Sequence, residues 1–209
     1  MYAASFVISQ KELATVSESA HEALKRCDTL PDVQEKFFGF AKTFDEAILK
    51  DFKLYEGSYD AKIVIVKEVD MREQKKLSKL DEEIKNNLLR AIFESINLRV
   101  DDTKSKSIAI VNFTQPSIGI VSSEEENASN IVTPFAIRCL QIINPLFIVT
   151  LGRSSEKIVT ESNEKASRSK EVIPRIIKFP ALEVVLRAPD RKRSIWQSLL
   201  SLQREIEEW

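Results

Sequence analysis

"FIVTLGRSSEKIV", Phe147 to Val159, passes from an apolar run through one glycine into a polar helix start within thirteen residues. Phe147, Ile148, Val149 and Leu151 have the character of a short strand. Ser154 or Ser155 ahead of Glu156 supplies a helix cap and an acidic first turn. The whole chain has four glycines, so one placed where a strand pattern gives way to a helix pattern is a strong local signal. Lacking a Cβ, Gly152 lets the backbone turn sharply and approach a neighbouring strand or a ligand. Two readings follow: a tight strand-to-helix turn, or a helix start whose N–H groups hold a phosphate. A nucleotide loop would carry more glycines than this one, which favours the turn.

Working outward, the same alternation recurs. "AKIVIV" (residues 61–66) is a β-branched run of the kind buried on both faces of a parallel sheet. Leu77, Leu80, Ile84, Leu88, Ala91, Ile92 and Ile96 repeat at three and four residues and predict a helix over 77–97. "SIAIV" (107–111) is the next strand, "GIVSSEEENAS" (119–129) a polar loop, and 130–143 a helix that ends before Pro145. "RIIKF" and "EVVL" are expected as further short strands. Asp190 is expected to cap a last helix carrying Ile195, Trp196, Leu199, Leu202 and Ile206. Ahead of residue 61, a helix is expected over 10–26, followed by a less regular stretch with "FFGF" (37–40) and "EGSYD" (56–60). The phenylalanines there are assigned to packing rather than to base stacking.

Strands alternating with helices of this length imply right-handed crossovers and a parallel sheet covered on both faces. The expected fold is α/β, a three-layer α/β/α sandwich with a mostly parallel central sheet. Residues 61–209 form the α/β domain and 1–60 a helical and irregular segment packed on its core, one structural domain in all. Ligands of such folds sit beyond the carboxyl ends of the strands. Here those ends are "VKEVD", "VNFTQP", "TLGRSS" and "LRAPDRKR".

Composition excludes several classes. With 209 residues and 43% hydrophobic content, one sizeable core is available. No apolar run reaches the length of a membrane span and the start lacks the pattern of a signal peptide, so a cytoplasmic location and no membrane partner are expected. Two cysteines and one histidine, His21, are too few for a thiolate or His/Cys metal centre, and no cofactor is expected. The net charge is −1, but residues 1–130 hold 18 basic against 23 acidic side chains and residues 131–209 hold 13 against 9. That asymmetry suits a modest anion-facing surface towards the C-terminus, well short of a dedicated duplex binder.

The strand ends, taken in order, resemble those of the uracil-DNA glycosylase superfamily, most closely its iron–sulfur bacterial and archaeal branch. The similarity spans roughly 61–206. Its best segments are "VTPFAIRCLQIINPLFIVTLGRSSEKIV" and "LRAPDRKRSIWQSLLSL", the latter matching a tail pattern at Leu186, Arg187, Pro189, Lys192, Trp196 and Leu199. The resemblance implies a pocket that takes uracil flipped out of DNA and breaks its glycosidic bond. It makes Glu68 the candidate catalytic carboxylate and Asn112 the candidate base reader. Gly152 and Ser154 fall at the DNA-facing turn, and Leu186, Arg187, Arg191, Lys192 and Arg193 at the loop that meets DNA.

Several parts of that chemistry are missing from the residues themselves. Around Glu68, the family's glycines and proline are replaced by Lys67, Val69, Asp70 and Met71. No aromatic stands in "REQKKLSKLDEE" to stack on a base. The histidine that would stabilise the departing uracil is replaced by Phe179 with Pro180, or by Ala181 with Leu182, and the loss of such a donor is worth roughly 3 kcal/mol. Cys27 and Cys139 cannot supply a four-thiolate cluster and are expected as small buried residues. The expectation is therefore a catalytically degenerate member that acts as a module binding DNA, weakly and without sequence preference, or a replication or repair protein. The rival expectation is a weak uracil or deaminated-base glycosylase relying on Glu68 and Asn112.

Overall fold

Ile63, Val64, Ile65 and Val66 are each no more than 1% exposed, which is what a β-branched run at the centre of a sheet covered on both sides requires. The computed structural model describes residues 22–44, 52–69, 79–100, 108–114, 123–166, 173–188 and 190–207. Outside these lie most of the helix expected over 10–26, His21, Asp70, Met71, the start of the helix expected from Leu77, and Pro189.

In chain order the elements are α1 (Leu30–Phe44), β1 (Tyr55–Gly57), β2 (Ile63–Glu68), α2 (Lys79–Glu94), β3 (Ile108–Phe113), α3 (Ser123–Ile143), β4 (Phe147–Leu151), α4 (Arg153–Ala166), β5 (Arg175–Phe179), α5 (Leu182–Arg187) and α6 (Arg191–Glu207). The five strands form one sheet in the order β1-β3-β2-β4-β5. β3, β2, β4 and β5 are parallel, with Ile65 opposite Ile110 and Val149, and Val149 opposite Ile177. β1 is an antiparallel edge strand on β3. The protein is thus α/β with a mixed, mostly parallel sheet.

Alternation along β2 divides the core in two. Val64 and Val66 pack with Val33, Phe37, Phe135, Cys139, Ile158 and their neighbours, so α1, α3 and α4 cover one face. Ile63 and Ile65 pack with Leu89, Phe93, Val185, Ile195 and Leu199, so α2, α5 and α6 cover the other. The chain leaves β2 towards β3 and leaves β4 towards β5, in opposite directions, which makes the carboxyl ends of β2 and β4 the crossing point where such sheets hold ligands.

Four elements differ from the sequence-based expectation. "FFGF" belongs to α1, which starts with a reciprocal cap: Thr29 Oγ1 donates to Asp32 Oδ2 at 2.7 Å and accepts from the Asp32 N–H at 3.3 Å. Its Leu30, Val33 and Phe37 are buried at helical spacing, and Phe37 meets Phe135 edge-on at 5.5 Å, in keeping with a packing role. The expected loop at 123–129 is the first part of α3, which runs through Pro134. Pro134 lacks only the one N–H that would bond back along the helix, and Val132, Phe135, Ala136 and Cys139, buried around it, retain the helix. "EVVL" is helical within α5, because Leu182 and Val185, three residues apart, are the ones that enter the core. β1 was not expected: Gly57 has φ +107° and an added Cβ would lie 2.6 Å from the Ile108 carbonyl oxygen, so the antiparallel approach depends on this glycine.

Candidate functional site

The four strand ends converge as the alternation requires, and each end is closed by contacts of the chain's own. At the end of β2, Lys67 and Glu68 fall on opposite faces. Lys67 shares the α2 face with Ile63 and Ile65, is half-buried, and donates from Nζ to Asn86 Oδ1 at 3.3 Å. Glu68 is exposed on the other side, and the Val69 N–H that follows donates to the Phe113 carbonyl at 2.8 Å.

Asn112 stands beside Lys67 in register on β3. It is 6% exposed, and its Nδ2 donates to the Lys53 carbonyl at 2.7 Å while its backbone N–H donates to the Leu54 carbonyl at 2.9 Å. Both bonds tie the approach to β1 onto β3. One N–H of the side-chain amide that could read a base edge is therefore engaged by the backbone of the chain itself, and burial makes that bond expensive to give up.

Gly152 has φ +91°, and its N–H donates to the Phe179 carbonyl at 2.9 Å. A Cβ here would lie 3.3 Å from the Ala181 Cβ. Gly152 is thus a tight turn that clasps the end of β4 to the end of β5. Ser155, fully buried, donates from Oγ to the Leu151 carbonyl at 2.8 Å, while Ser154 is half-buried on the first turn of α4. Neither the Gly152 N–H nor the Ser155 hydroxyl is turned outward to an anion.

Phe179 is 4% exposed and its ring lies 6.4 Å from that of Phe93 on α2. Of the two positions at which the resemblance would place an imidazole, Ala181 is half-buried at the start of α5 and Phe179 belongs to the apolar core. Above it, Lys85 of α2 is buried and reaches Glu183 of α5 at 2.5 Å. Partial burial works to raise the Glu183 carboxyl, but the Lys85 hydrogen bond, a backbone bond and the charges of Lys85 and Lys67 outweigh it and hold the group below its ordinary value. This pair lies between α2 and α5, directly over the strand ends, and no sequence motif announced it.

The basic residues behave differently. Arg175 at the start of β5 pairs with Glu205 near the end of α6, so α6 runs back along the sheet and its first turn lies at the carboxyl end of the strands. Arg187 closes α5, and Arg191, Lys192 and Arg193 open α6; all four are exposed. No carboxylate is paired with any of them among the described residues, and the first turn of α6 carries no acidic side chain. Leu186 is 40% exposed beside them. The structure therefore brings Leu186, Arg187, Arg191, Lys192 and Arg193 to one corner, and places Glu68, Asn112, Gly152 and Ser154 at the neighbouring strand ends.

Cys27 and Cys139 are both buried free thiols. Burial pushes Cys139 up to about 12 and raises Cys27 as well, so neither is a thiolate at neutral pH. Among the described residues no group of three His, Cys, Asp or Glu side chains is placed to hold a metal ion, and no helix is long and apolar enough to cross a membrane. Comparison with known proteins found no family model that matches the chain and no similar curated protein.

Proposed function

We propose that this protein is a catalytically degenerate uracil-DNA glycosylase-like chain that works as a binding module for DNA, or for a protein of DNA repair or replication. One contrast carries the reading. Groups at the strand ends that base excision would need are engaged internally, Asn112 by Lys53 and the Phe179 position by Phe93, whereas four cations at the same end of the sheet stand exposed. A base reader must have its donor available, and an oxyanion must be met by a donor that a phenyl ring does not possess. Exposed Arg and Lys side chains, by contrast, need no rearrangement to meet a phosphate or a carboxylate.

The deciding experiment measures uracil release from single- and double-stranded DNA alongside DNA binding by the same preparation. The expected outcome is no release above background together with weak, sequence-independent binding whose affinity falls with salt at a log–log slope on the order of −3 on duplex, from three or four phosphate contacts. Multiple-turnover release that disappears in Glu68→Gln would instead establish a glycosylase. Absence of salt-sensitive DNA binding would leave the protein-partner arm of the proposal as the one to pursue.

A further inference from the structure

Trp196 breaks the pattern of its helix. On α6, Ile195, Leu199 and Leu202 are at most 3% exposed, but Trp196, placed beside them in sequence, is 44% exposed. The periodicity alone assigned it to the apolar face; the structure turns much of its indole outward. Tryptophan is a costly residue to leave in water, since its ring carries the largest apolar area of any side chain. Its neighbours on the helix are informative. Lys192 lies four residues before it and Arg193 three residues before it, so both cations share a side of α6 with the ring at a separation of about 4.5–6 Å along the axis. Arg187 and Arg191 flank the same corner, and Leu186 adds a second exposed apolar side chain.

We infer that this corner binds single-stranded nucleic acid, with a base stacked on Trp196 and the adjoining phosphates met by Lys192, Arg193 and the neighbouring arginines. The inference rests on the binding-module reading above and narrows it. A flat aromatic face has an obvious counterpart in a nucleobase face, and that face is accessible in a single strand but covered by its neighbours in a duplex. Four exposed cations between residues 187 and 193 match a short run of phosphates, whereas a duplex footprint would call for a longer basic stripe. Charge complementarity also disfavours an approach by a basic segment. The carboxylates nearest in sequence are Asp190, exposed ahead of α6, and Glu183, engaged by Lys85.

The test uses the full chain with Trp209→Phe, so that intrinsic fluorescence reports Trp196, and an oligothymidylate of about 12 nucleotides, a length within the site sizes of such surfaces. The expected results are quenching on binding, tighter binding to this strand than to a duplex of equal length, and a loss of about tenfold in affinity for Trp196→Ala, while Trp196→Phe stays within about threefold. Arg191→Ala with Lys192→Ala should flatten the salt dependence without abolishing quenching at low salt. Thermal unfolding of each variant separates loss of binding from loss of fold. Binding that favours the duplex and ignores Trp196→Ala would overturn this inference and leave the module reading intact. No binding to either form would overturn this inference and the DNA arm of that reading together.

Discussion

Asn112 and Arg191 lie at the same end of one sheet, yet one is 6% exposed with its amide bonded to the Lys53 carbonyl, and the other stands in solvent without a carboxylate partner among the described residues. The difference teaches how to separate structural polar groups from those open to a ligand. A buried donor must be matched within the fold, and once matched it is held there by the desolvation penalty of releasing its partner. A surface cation has little such constraint, because water solvates it equally well before and after any rearrangement. Substitutions at the strand ends should therefore register in stability, and substitutions at the α5–α6 corner in binding.

The sharpest test of that division is Asn112→Asp. A carboxylate would replace an amide donor opposite the Lys53 carbonyl in a site with almost no water, and the expected loss of stability is about 3 kcal/mol, read by urea denaturation. If stability stayed within experimental error, the Asn112 amide would not be a structural bond and its role as a base reader would reopen. Gly152→Ala should follow at about 1–2 kcal/mol, because an L-residue is strained at φ +91° and the new methyl meets Ala181.

Glu183→Gln comes next, at about 1 kcal/mol, a value reduced by the 41% exposure of the Glu183 side chain. It also has a pH signature. A carboxyl held low in the folded state contributes stability above its unfolded value, near 4.5, and that contribution is lost as pH falls below it. Wild-type protein should thus lose stability on acidification through that range, and Glu183→Gln should lose less over the same range; equal losses would show that the Lys85 pair does not stabilise the fold. The smallest stability effect belongs to the corner: Arg191→Ala with Lys192→Ala should stay within about 0.5 kcal/mol of wild type by denaturation. A larger loss would mean that the corner is structural as well, and the comparison would fail.

Much of the architecture was legible from residues. The β-branched runs at 63–66 and 148–150 and the spacing in α6 specify strands and a helix because burial leaves a periodic trace. In α2 the spacing located the helix but not its buried face, which is Lys85, Leu89 and Phe93, while Ile84 is 42% exposed. The clasp at Gly152 was legible for a related reason: a lone glycine between a strand and a helix marks a conformation other residues resist. What escaped were elements whose local signals were mixed. The capped start of α1 was written in Thr29 and Asp32, yet a run of phenylalanines and a mid-helix glycine obscured its period. α3 runs through a proline, and α5 carries the β-branched pair Val184 and Val185 with strand propensity, so in both the packing partner overrides the local preference.

The candidate site divides along the same line. Sequence by itself determined which side chains are on offer: Phe179 and Ala181 rather than an imidazole after the last strand, and two cysteines where a four-thiolate cluster would need four. It also determined that basic residues cluster near 187–193. Only the tertiary structure decided that the Asn112 donor is engaged by Lys53, that Lys85 and Glu183 meet across α2 and α5, and that Trp196 faces outward from a helix whose period had assigned it to the core. Each of those facts depends on a partner distant in sequence or on the angle at which a helix rests on the sheet, and neither quantity is encoded in local spacing; both are set by how the two faces of the sheet close over their side chains.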